Sequence, residues 1–170
     1  MAIEQPVYDV LIHDGAYELR RYAPMIVAVS KETDLRGYSG FNNVFDYIQG
    51  NNAQREKIAM TAPVINDLQE STLTTAFVMP KAYTMDNLPA PRSTQMALEE
   101  KPERLVAACR FNGSVTAKLL AEKQAELVEW ITAQGYLAVG SSQLARYNPP
   151  FIPGLFKRNE IWIDVQPLAK

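Results

Sequence analysis

The chain has 170 residues, 47% hydrophobic and 21% charged, with 17 basic and 19 acidic side chains for a net charge of −2. That length and balance suit one soluble globular domain whose core needs neither disulfides nor a structural metal. The lack of a basic excess argues against a nucleic-acid or anionic-membrane partner. One Cys and one His exclude an internal disulfide and a zinc site built on those residue types. Residues 1–13 lack the basic start of a secretory signal, and no apolar run reaches the roughly 18 residues that suggest a membrane span, so a cytoplasmic location is expected, with a monomer as the default.

In chain order, Val7–Ile12 and Tyr17–Tyr22 read as strands joined by a turn at Asp14-Gly15, with His13 beside it. After a break at Ala23-Pro24, the apolar Met25–Val29 resumes as a buried strand. A helix follows, capped by Ser39. Phe41, Val44, Phe45 and Ile48 recur at the helical period, and Gly50 supplies the stop. Lys57–Val64 and Leu73–Met79 read as two further strands, and the proline-rich residues 80–94 as a stiff connector.

The second half repeats that order. Leu98–Ala107 lies over Leu19–Ala28 as strand, kink and apolar strand. Ser114 is placed to cap a longer helix whose face carries Ala117, Leu120, Ala121, Leu127, Val128 and Ile131, ending at Gly135. Closing strands are expected near Gln143–Tyr147 and Glu160–Val165. The expectation is a single domain over residues 1–170 with similar halves of about 1–80 and 95–170, each strand-helix-strand-strand and related by a pseudo-twofold. Such an α+β chain would bend an antiparallel sheet, or a distorted barrel, under two helices, with an apolar groove between them as the natural pocket.

Tyr17-Glu18-Leu19-Arg20-Arg21-Tyr22-Ala23-Pro24, Gly40-Phe41 with Tyr47–Asn51, Lys57–Val64 containing Met60-Thr61-Ala62-Pro63, Phe77–Pro80, Tyr147–Pro150 and Arg158-Asn159-Glu160-Ile161-Trp162 occur in this order. Together they resemble the SOUL haem-binding protein family across nearly the whole chain. The resemblance implies a distorted barrel of about eight strands and two helices, with a shallow groove for haem or a related tetrapyrrole. It also implies similarity to gyrase-inhibitor-like proteins and to the effector domains of multidrug-responsive regulators, which bind bulky cationic aromatics. In the family member proposed to ligate iron through His, that His stands where this sequence has Arg21, so no axial ligand carries over.

The residues expected to line a ligand groove are Phe41, Val44, Phe45, Ile48, Met60, Tyr147, Phe151, Leu155 and Phe156, with Lys157 and Arg158 able to pair with carboxylates. His13 and Met60 are weak candidates for iron. Glu160 stands in the apolar strand Ile161-Trp162-Ile163; it either faces solvent or is a buried carboxylate that needs a partner. Three functions follow: non-catalytic tetrapyrrole binding for buffering, trafficking or sensing; binding of cationic aromatics; or an enzyme acting on such a ligand through Glu160 and a Tyr.

Overall fold

The computed structural model describes residues 3–32, 38–69, 73–148 and 157–169. The described chain is α+β: β1 (Tyr8–Asp14), β2 (Tyr17–Tyr22), β3 (Met25–Lys31), α1 (Tyr38–Ile48), β4 (Val64–Asp67), β5 (Thr74–Val78), β6 (Met96–Lys101), β7 (Arg104–Asn112), α2 (Ala117–Ala133), β8 (Tyr136–Arg146) and β9 (Arg158–Pro167). No described helix is long and apolar enough to cross a membrane.

The chain divides into two compact units, neither contiguous in sequence: residues 1–6 with 24–102, and residues 7–23 with 103–170. In the first the strand order is β4-β5-β3-β6, and in the second β8-β9-β7-β2-β1. The correspondence is direct. In each unit the strand preceding the helix (β3 or β7) pairs with the second strand after the helix (β5 or β9) and, on its other side, with a strand from the opposite end of a prolyl kink. The kinks lie at Ala23-Pro24 and Lys101-Pro102, one residue out of register in the sequence repeat, which lays Ala23 on Pro102.

Among the described residues β1 pairs only with β2 and β6 only with β3, so the antiparallel sheet of each unit keeps an open edge where the expected barrel would close. Other expectations shift. The hairpin loop is Gly15-Ala16, with Asp14 paired to Tyr17 and Gly15 at φ +59. Of the strand expected over Lys57–Val64, only Val64 lies in a strand, as the first residue of β4. Upstream of it the backbone bonds elsewhere, Ile58 N–H to the Ile48 carbonyl at 2.8 Å and Ala62 N–H to the Glu4 carbonyl at 3.0 Å. β8 is longer than expected because a bulge between Val139 and Ser142, with Gly140 at φ +78, restores its register on β9.

Both helices begin differently from expectation. α1 starts at Tyr38, which places Ser39 inside it. α2 is capped by Thr116, whose hydroxyl accepts from Leu119 N–H at 3.1 Å, and not by Ser114. The face of α2 that is sealed carries Leu120, Leu127, Trp130 and Ile131; Val128, one residue off that stripe, is exposed. Gly50 and Gly135 follow the two helices with positive φ, as a left-handed stop requires.

Candidate functional site

In the first unit the candidate residues other than Met60 lie on α1. Its apolar period turns Val44, Tyr47 and Ile48 inward, where they join Ala28, Ile58, Phe77, Met79, Leu88 and Met96 in one core. Val44 and Ile48, expected to line a groove, are therefore sealed at 0% and 1% exposure and offer no surface to a ligand. Phe41 and Phe45 differ. Phe45 is 39% exposed, and its ring stacks on the half-buried Phe41 at 5.5 Å and 13°, while Phe41 tilts against Phe77 at 5.2 Å. Met60 is half-buried against the same core.

Polar clamps hold α1 at each end. The buried Glu32 carboxylate accepts from Gly40 N–H at 2.9 Å, from the Ser39 hydroxyl and from the Thr75 hydroxyl at 2.7 Å, tying the first turn of the helix to β3 and β5. Gly40 is required there: a Cβ would stand 2.8 Å from Glu32 Oε2 and 2.9 Å from the Lys31 carbonyl. At the other end the Tyr47 hydroxyl donates to the Pro89 carbonyl at 2.7 Å, and burial, with Tyr83 and Glu56 nearby, pushes that phenol up to about 12. The fully buried Asn52 donates to the Tyr47 and Glu56 carbonyls and accepts from Gln54 and Glu56 N–H.

The second unit holds a different arrangement. Register places Glu18, Arg20 and Tyr22 of β2 on the same face as Glu160 and Trp162 of β9, with the small Ala108 of β7 paired to both Glu18 and Trp162. Glu160 is 0% exposed and Arg20 is 3% exposed. They form a bidentate pair at 2.7 and 2.9 Å. Glu160 also accepts from the Tyr147 hydroxyl at 2.9 Å, Arg158 at 2.9 Å and Trp162 Nε1 at 2.8 Å. Arg20 further donates to the Tyr22 hydroxyl and Glu18, and lies 4.5 Å from the Tyr8 ring centre; Arg158 lies 3.9 Å from that of Tyr147. Tyr22 packs on Tyr8 and on Trp162, each at 4.9 Å.

The electrostatics follow from this saturation. Burial alone would raise the Glu160 carboxyl, but the bonds and charge of Arg20, then the bonds of Trp162 and Arg158, hold it at about 2. Burial and the neighbouring carboxylate push the Tyr147 phenol well above its ordinary value, so it stays a donor. Glu160 is thus the buried, partnered carboxylate of the two options the sequence left open. An ionised acceptor filled by five donor groups has no lone pair to spare for proton abstraction or for an external cation, which removes the support Glu160 lent to the enzyme and cationic-ligand readings.

The remaining candidates separate. Arg158 and Tyr147 belong to the Glu160 network, Lys157 is half-buried, and Phe151, Leu155 and Phe156 lie outside the described residues. His13 is exposed, with Nδ1 3.0 Å from Glu18 Oε2. Among the described residues no group of three or more His, Cys, Asp or Glu is arranged to hold a metal ion. Sequence reasoning missed Arg20, Tyr8 and Glu32. The sequence carried no signal that picks out Arg20, because Arg21 beside it in the same strand is exposed.

The SOUL heme-binding protein family model matches residues 3–164. Heme-binding protein 2 of Homo sapiens is 30% identical, covering 95% of this chain and 86% of its own length, and that of Mus musculus is 28% identical over the same shares. Among solved structures, the EcmrR C-terminal domain shares the fold at a TM-score of 0.66 and 13% identity, covering 95% of this chain and 99% of that one. A hydrolase from Listeria innocua does so at 0.60 and 7%, covering 88% and 91%. With the fold shared and the family match spanning both units, this chain belongs to the SOUL heme-binding protein family.

Proposed function

We propose that this protein reversibly binds haem or a related tetrapyrrole, without catalysis, as a cytoplasmic monomer that buffers, carries or senses it. The family match over residues 3–164 carries the reading. The aromatic surface of α1 fits it: Phe45, exposed and backed by Phe41, offers a flat apolar patch on a helix clamped at each end, which suits the face of a macrocycle. Phe41 and Phe45 would hold the ring by apolar contact; bound haem would supply a polarisable ring and an iron, with no axial donor assigned among these side chains.

Titration with haemin and with metal-free protoporphyrin, followed by absorbance and tryptophan quenching, tests this. Saturable one-to-one binding of both ligands, weakened in Phe45→Ser, is the expected result. Binding of neither overturns the function, and binding of haemin alone overturns recognition through the ring.

A further inference from the structure

The network around Glu160 has the composition of a receptor for an organic cation: a buried carboxylate walled by Tyr8, Tyr22, Tyr147 and Trp162. We propose that Arg20 is a specificity-determining residue, an internal cation that fills this box and excludes external ones.

The geometry matches point by point what such a guest would need. The guanidinium takes both oxygens of Glu160 in the fork arrangement, lies 4.5 Å from the Tyr8 ring centre and donates to the Tyr22 hydroxyl. Its side chain is 4% exposed, so an external cation has to displace it. Charge gives the reason that displacement fails. Arg20 bridges Glu18 and Glu160; without it Glu160 keeps Arg158, Glu18 keeps the ring of His13, and the box holds one positive charge fewer. An external cation competes for that site against a tethered one at high effective concentration. Organic cations are therefore not guests of this box in the intact protein, and this holds whether or not the tetrapyrrole reading does.

Chemical rescue provides the test. Arg20→Ala removes the side chain and leaves room for a small guanidinium guest. Thermal unfolding is followed with millimolar n-propylguanidinium, with the neutral isostere n-propylurea, and with sodium chloride at matched ionic strength. The expected result is a saturable rise in the midpoint of Arg20→Ala with n-propylguanidinium alone, absent from the wild type and from Arg20→Ala/Glu160→Gln. If Arg20→Ala is unfolded by itself, recovery of folded protein on adding n-propylguanidinium is the readout. No response in either form, or an equal response to n-propylurea, overturns the proposal. Haemin titration of the wild type reads the proposed function separately, because it involves no change at Arg20.

Discussion

Replacing Glu160 by Gln keeps the shape of the side chain but turns one of its acceptor oxygens into a donor facing Arg20, Arg158, Tyr147 and Trp162. Breaking a buried ion pair in this way costs about 3 to 5 kcal/mol, because the remaining guanidinium is left uncompensated. The wild type has its own pH dependence. Its carboxyl is held at about 2, against an ordinary 4.5 in the unfolded chain, and that difference is worth about 3 kcal/mol. A carboxylate with a depressed native value contributes its full stability above the unfolded value and loses it as the pH falls toward the native one. The wild type should thus lose about 3 kcal/mol between roughly pH 5 and pH 2 that Glu160→Gln no longer has to lose. Urea unfolding of both proteins at half-unit steps measures the gap directly, and subtracting the two curves removes the acid sensitivity of every other carboxylate. A gap that stays constant down to pH 2, or a variant as stable as the wild type at pH 7, refutes the account of Glu160 as an ionised, saturated acceptor.

Other substitutions read other parts of the structure. Gly40→Ala drives a Cβ against Glu32 and the Lys31 carbonyl and should lower stability by about 1 to 3 kcal/mol in denaturant melts. Thr116→Ala should cost about 1 kcal/mol through the lost α2 cap, whereas Ser114→Ala should stay within about 0.5 kcal/mol; equal effects would contradict the observed cap. Phe45→Ser should lower stability by about 1 to 2 kcal/mol, because the covered part of the ring stacks on Phe41, and should weaken haemin several-fold in the folded protein if the macrocycle rests on it.

The parts of this fold legible in the sequence are those governed by neighbours in the chain. The stripe Phe41, Val44, Phe45 and Ile48 identifies α1 because its period is local, and Gly50 and Gly135 mark the helix ends because a left-handed residue is a local demand. Burial around the stripe is decided by partners elsewhere, so the same pattern that located the helix did not distinguish sealed Val44 from exposed Phe45. Lys57–Val64 has strand composition, but its backbone groups bond to Ile48 and Glu4 in place of a neighbouring strand. The α1 cap was missed for a similar reason: its carboxylate comes from Glu32, outside the helix. Arg20 and Glu160, far apart in the chain, meet through the pairing of β2 and β9 with β7.

Among the described residues each unit buries one glutamate carboxylate, and the different elements that these two tie together bear on binding. In the second unit Glu160 is matched by guanidinium groups and joins strands. In the first, Glu32 accepts an N–H and a hydroxyl from the start of α1 and a hydroxyl from β5, so it fixes a helix. Phe45 rides on that helix. A surface held in place before a ligand arrives loses little conformational freedom on binding, whereas a loosened one must be ordered at a cost of about 0.5 to 1.5 kcal/mol for each immobilised side chain. Glu32→Gln keeps every ring contact yet weakens the clamp on Gly40 and Thr75, so haemin affinity should fall about three- to tenfold by that reasoning. Because Glu32→Gln also lowers stability, the deciding readout is backbone hydrogen exchange in α1 of the folded, unliganded variant: faster exchange there with weaker haemin supports preorganisation. Weaker haemin without faster exchange in α1, or faster exchange with unchanged affinity, would show that the clamp does not prepare the surface on which Phe45 sits.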